Sequence, residues 1–109
     1  MPVSVKTSGS LTATAGGTED TLATVTDAGT YALAVDCANM TAGDTVVLRL
    51  YGKARSSDTE RLMFESSYDN AQADPLKMSF AVMSPHHLKA TLTQTAGSAR
   101  AFPWAIYAA

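Results

Sequence analysis

Apolar and polar residues alternate with a period of two along most of the chain, the spacing of strands whose two faces meet different surroundings. Residues 30–36 alternate cleanly, with Tyr31, Leu33 and Val35 on one face and Ala32, Ala34 and Asp36 on the other. Residues 45–53 form the strongest strand pattern. Val46, Leu48 and Leu50 share one face, and Val47, Arg49, Tyr51 and Lys53 the mixed one. Residues 61–68 follow, with Leu62, Phe64 and Tyr68 set against Arg61, Met63 and Glu65. Residues 76–82 read as one strand, stopped by Ser84-Pro85. Residues 87–95 turn Leu88, Ala90 and Leu92 inward. Residues 102–107 close the chain with Phe102, Trp104 and Ile106 on one face. Two weaker segments open it: 3–14, which alternates loosely, and 21–26, with Leu22 and Val25.

Turn chemistry separates these runs. Gly16-Gly17 with Thr18-Glu19-Asp20, then Asp27-Ala28-Gly29, punctuate the first two segments, which together read as a hairpin. Later breaks fall at 39–44, 54–59, 69–75 and 96–99. About eight short strands spaced this way predict an all-β domain, an antiparallel β-sandwich, with the jelly-roll as one form open to it. Residues 57–61 are the one place where a turn or two of helix fits. Pro103 cannot donate to a ladder, so the last strand is expected at an edge or bulged. The expected core is Leu33, Val35, Val46, Leu48, Leu50, Leu62, Phe64, Leu92, Trp104 and Ile106.

At 109 residues the chain holds one domain, 1–109, and 46% hydrophobic residues suffice for a packed core. Eight basic residues against ten acidic ones give a net charge of -2, which argues against a nucleic-acid module. One cysteine excludes an internal disulfide, and no apolar run is long enough to span a bilayer as a helix. The first residues lack the pattern of a secretory signal, so the expected site of synthesis is a reducing cytoplasm. There the Asn39-Met40-Thr41 sequon carries no meaning. Thr and Ser supply 24 residues, Ala 19, and charged residues only 17%. A surface so poor in charge hints at assembly.

No group of residues carries a reaction, and no enzyme, cofactor or metal site is expected. His86 and His87, adjacent on a strand, point to opposite faces and lack a third ligand at metal-site spacing. Cys37 has no electropositive neighbour and reads as a small core residue. The carboxylates Glu19-Asp20, and Asp69 with Asp74, fall in turns, where backbone chemistry favours Asp. Gly16-Gly17 lacks the downstream lysine of a phosphate loop. Residues 53–61 hold three of the eight basic residues, offset by Asp58 and Glu60, and read as a solvated hairpin tip. Phe102 and Trp104 read as core plugs, with Tyr107 facing out.

Two segments, VDCANMTAGDTVVLRLYGKARSSDTERL and HHLKATLTQTAGSARAFPWAIY, resemble small structural proteins of tailed bacteriophages. The first resembles their strand, "N-turn-GD", long strand and polar tip. The second resembles a terminal "TLKQTAG-x-x-RAFPW" motif, matched here from Ala90 to Trp104. Together they cover roughly half the chain. The resemblance implies a capsid decoration, or cement, protein on the exterior of the virion, made in the host bacterial cytoplasm. Its implied partners are the major capsid protein and copies of itself, as a trimer that staples three capsomers. It implies no catalytic residues. Other readings are a head–tail connector or tail subunit, and a carbohydrate-binding sandwich with Tyr51, Tyr68 and Tyr107 as its platform.

Residues 1–14 are either an arm that adds a strand to a neighbour or the first strand of the chain's own sandwich. Pro2, Val3, Val5, Lys6 and Leu11 are therefore candidates for capsid or self-association, with Arg55 and Asn70 on loops as the other contacts.

Overall fold

A computed structural model of the chain describes residues 3–14 and 16–109. It has nine strands: β1 Ser4–Thr12, β2 Glu19–Val25, β3 Gly29–Asp36, β4 Thr45–Gly52, β5 Arg61–Asp69, β6 Leu76–Met78, β7 Val82–Ser84, β8 Leu88–Ala96 and β9 Ala101–Ala108. The pairing is a set of nested antiparallel hairpins. β4 pairs with β5, β3 with β6 and β7, β2 with β8, and β1 with β9. Rolled up, this ribbon forms two stacked sheets, ordered β1-β9-β3-β6/β7 and β2-β8-β4-β5. That is the double-sheet jelly-roll, so the all-β sandwich expected from the alternation is the observed fold.

The core lies between the sheets. Leu33, Val35, Val46, Leu48, Leu50, Leu92 and Ile106 are buried there as expected, joined by Phe102, Leu88 and Cys37. Phe64 and Trp104 are only partly buried and pack against its margin. Leu62 departs from expectation. The β4–β5 register slips after Leu50↔Phe64, so that Tyr51 faces Leu62 and Met63 is the extra residue. A bulge of this kind reverses the faces beyond it. Leu62 therefore joins Tyr51 on the outer face and is 49% exposed.

Several other expectations need correcting. The first two segments form no hairpin: β1 pairs with β9 in one sheet and β2 with β8 in the other. β2 starts at Glu19, so Glu19-Asp20 belongs to a strand and not a turn. Residues 76–84 are two short strands on successive parts of β3. Ser79 spans the break: its amide donates to the Leu33 carbonyl (2.9 Å) and its hydroxyl accepts from the Leu33 amide (2.9 Å). Pro103 lies inside β9, a central strand. The β3–β9 ladder ends at Val35↔Trp104, one residue short of it, so on that side no bond is lost. No helix is present among the described residues.

One end of the sandwich is closed by a buried ion pair. Asp44, 1% exposed, accepts from Arg100 Nε (2.7 Å) and from the Thr41 amide (2.9 Å). The Thr41 amide, and after it Arg100, hold the Asp44 carboxyl below its usual range against the opposite pull of burial. The Arg100 amide donates to Gln94 Oε1 (3.1 Å), and Gln94 Nε2 donates to the Ser98 carbonyl (2.6 Å). Gly97 turns at φ +91°, and a Cβ there would meet Asp44 Oδ1 at 1.9 Å. The 37–44 turn and the β8–β9 turn are thus locked together.

Candidate functional site

The two outer faces of the sandwich differ in chemistry. The strands of the β2-β8-β4-β5 sheet carry Glu19, Asp20, Arg49, Arg61, Glu65, Asp69 and Lys89. Apart from Leu62, its outer face is dominated by a polar network. Glu19 accepts from Tyr51 Oη (2.5 Å) and Thr91 Oγ1 (2.6 Å), and the Thr91 and Tyr51 bonds hold its carboxyl below the usual range. Arg49 Nε donates to Glu65 (2.7 Å), Lys89 Nζ lies 2.9 Å from Glu60, and the same ammonium sits 4.9 Å from the centre of the Tyr51 ring. Polar groups already satisfied by one another make this a face suited to water.

The strands of the other sheet carry only Lys6, Asp36 and Lys77. Lys6 is held by Asp27 at 2.5 Å, and Lys77 lies 4.9 Å from the centre of the Tyr68 ring. Asp36 accepts from the Ala38 amide (2.9 Å). The rest of the outer face is small or apolar. Pairing sets Met78 beside Ala34, Leu76 beside Asp36 and Met83 beside Thr30. Met83 is 85% exposed, Leu76 57% and Met78 49%. An apolar groove of ≈ 170 Å³ runs between Val3, Ala32, Met78, Ala81 and Tyr107. A shallower hollow of ≈ 190 Å³ continues it past Tyr107 to Ala34, Leu76 and Pro103. Exposed apolar residues gathered on one face mark an interaction surface, and this is the candidate site.

The expected contact residues are spread over the molecule. Val3 and Val5 border the apolar face, 67% and 58% exposed. Leu11 packs against the core margin, and Lys6 pairs with Asp27. Pro2 lies outside the described residues. Residues 4–12 are strand β1, paired along their length with β9. Arg55 stands on the loop after β4, tied to Asp58 through Nη2 (2.9 Å). Asn70 follows β5 at the opposite end of that hairpin, at φ 64°. Its Oδ1 accepts from the Gly43 amide (2.9 Å) and its backbone amide donates to the Asp44 carbonyl (2.7 Å), so both of these groups are engaged within the fold. Alternation alone did not reveal Leu76, Met78 and Met83. The signal was available in the run 76–83, whose apolar residues outnumber what one buried face of an edge strand can take.

The remaining candidates resolve into packing. His86 Nε2 lies 3.1 Å from the Lys53 carbonyl, while His87 Nε2 lies 2.5 Å from Glu60. No cluster of three or more potential metal ligands occurs among the described residues. Cys37 is fully buried, and burial pushes its thiol pKa up to about 11. Tyr51, Tyr68 and Tyr107 form no common platform: Tyr51 bonds Glu19, Tyr68 packs against the core margin, and Tyr107 lines the apolar groove.

The jelly-roll is shared with a chain in the structure of infectious bursal disease virus, Gx strain, at a TM-score of 0.53 and 16% identity. The match covers 98% of this chain and 32% of that one, so the chain spans about a third of the length of its structural neighbour. At this identity the likeness is one of fold. No family model matches the chain, and no curated protein does.

Proposed function

We propose that the chain is a non-catalytic structural protein of a bacteriophage virion, which binds the outside of the capsid and stabilises the shell. The observation that carries this reading is the charge-poor, largely apolar outer face of the β1-β9-β3-β6/β7 sheet, set on a jelly-roll whose other face is dominated by paired polar groups. The resemblance of residues 35–62 and 86–107 to tailed-phage structural proteins supports it, as does a fold shared with a chain of a virus structure. A rigid sandwich orders little on binding, so it avoids one of the entropic costs of association. Repetition over many symmetric sites then makes a modest contact effective.

Co-sedimentation with shells of the encoding phage, prepared without this protein, tests the reading. The parent chain is expected to pellet with the shells and to raise the temperature at which they rupture. Met78→Ser with Met83→Ser, both at exposed positions, should weaken binding at least tenfold and leave the chain's own melting unchanged. Arg49→Ala, on the polar face, should bind as the parent does. A parent chain that stays in the supernatant overturns the proposal; equal loss from both faces overturns the choice of surface.

A further inference from the structure

The sandwich has four sheet edges, and three are guarded. The edge at β6/β7 is broken into two pieces of three residues by the Ser79 turn. The β5 edge carries Arg61, Glu65 and Asp69 and a bulge at Met63. The β2 edge begins with Glu19 and Asp20 and is bulged at Leu22. Interruptions, charges and bulges are the devices by which edges avoid pairing with other chains. β1 lacks them over Thr7–Leu11 and Thr12, where the register with β9 is unbroken and no residue is charged or proline. Its one bulge and its one charge fall together at Lys6, which Asp27 neutralises. Among the described residues β1 has no strand on its other side.

We infer that the free edge of β1 pairs with β1 of a second copy of this chain, antiparallel about a two-fold axis, joining two five-strand sheets into one. An open edge is best met by another open edge, and this chain presents one, so the contact is isologous. No like charges meet across it: with Ser8 near the axis, Lys6 falls opposite Ser10 of the second copy. Gly9 lies at the middle of this stretch. It carries no side chain because the Trp104 ring lies over it, 3.2 Å from where a Cβ would stand. Such a contact yields pairs rather than the trimer that a three-fold site implies. It concerns the free protein and does not rest on capsid binding.

Sedimentation equilibrium of the purified full chain, over a wide concentration range, measures the pairing. The mass is expected to rise from 11.4 kDa towards twice that value. The amides of residues 7–12 that face away from β9 should exchange more slowly as concentration rises. Ser8→Glu, at an exposed position that meets itself across the axis, should hold the chain at the single-copy mass. Mixing it with Ser8→Lys should restore a pair, because opposite charges then meet across the axis. A parent chain that remains single overturns the inference, as does a glutamate variant that pairs like the parent. If the glutamate variant loses its β circular dichroism, the concentration dependence of exchange in the parent decides alone: its absence overturns the pairing, and protection of residues 7–12 supports it.

Discussion

The Asp44–Arg100 pair should carry a large part of the chain's stability, and Asp44→Ala removes it. The substitution deletes a charge-assisted bond to Arg100, which in general contributes about 1.5–3 kcal/mol, and strands the Thr41 amide, at about 1 kcal/mol more. Asp44 is 1% exposed, but the Arg100 side chain is 31% exposed and can turn its charge to water once unpaired. The cost therefore belongs near the lower end of the roughly 3–5 kcal/mol seen when a buried pair is broken. About 3 kcal/mol lowers the melting temperature of a small domain by roughly 12–24 °C. Asp44→Asn keeps an acceptor for Thr41 and should lose about half as much. The Asp44 carboxyl is held below its ordinary value of 3.8, so its stabilising contribution is complete above that pH and is lost as the pH falls through the lower, folded value. The gap between parent and Asp44→Asn should thus be widest near neutral pH and close in strong acid. Thermal melts at several pH values, followed by circular dichroism, measure all three quantities. A melt for Asp44→Ala within about 2 °C of the parent at pH 7 would refute the reasoning, since it would leave less than about 1 kcal/mol for the whole network.

Three further substitutions probe the same structure by thermal melting. Gly97→Ala should destabilise by roughly 2–3 kcal/mol, because φ is +91° and the new Cβ would lie 1.9 Å from Asp44 Oδ1; a neutral result would mean that the turn relaxes freely. Ser84→Ala should be neutral or stabilising by up to about 1 kcal/mol, since the buried hydroxyl has no partner, and a clear loss would reveal one. Trp104→Ala should cost about 2 kcal/mol, below the 3–5 kcal/mol of a fully buried ring, because Trp104 is half-buried against Gly9; a cost above that range's floor would place the ring deeper.

Where one face of a strand is buried and the register runs unbroken, alternation identified the core: Leu33, Val35, Val46, Leu48, Leu50, Leu92 and Ile106 all lie inside. The misses have local causes. Leu62 sits past a bulge, and a period-two reading cannot register an inserted residue. The supposed hairpin of the first two strands failed because jelly-roll partners lie far apart in sequence, as in Ser4↔Ala108 and Glu19↔Thr93. Pro103 pointed to an edge strand, yet β9 is central, because the ladder to β3 ends one residue before it. The candidate surface was least legible of all. Which face of a sheet meets water depends on which strands are neighbours, and Met78, Met83 and Tyr107 come together only through pairings with β3.

Some of the residues that carried the resemblance close one end of the fold. The "GD" of the first segment is Gly43-Asp44, and the "QTAG-x-x-R" of the second is Gln94 to Arg100. They are 50 residues apart along the chain and meet at the Asp44–Arg100 pair, with Gln94 holding the Arg100 amide and Gly97 turned against the carboxylate. The constraint on these positions is geometric: a buried carboxylate needs its guanidinium, and the glycine must leave space for both. The motif therefore specifies how two turns of a jelly-roll are tied, and it lies apart from the apolar face formed by β3, β6, β7 and β9. A chain with the same lock is free to vary that face, whose Ala, Met and Leu positions meet no such demand from within. Partner choice in proteins of this design should accordingly track the outer residues of β6 and β7, while the lock reports only the architecture on which they are displayed.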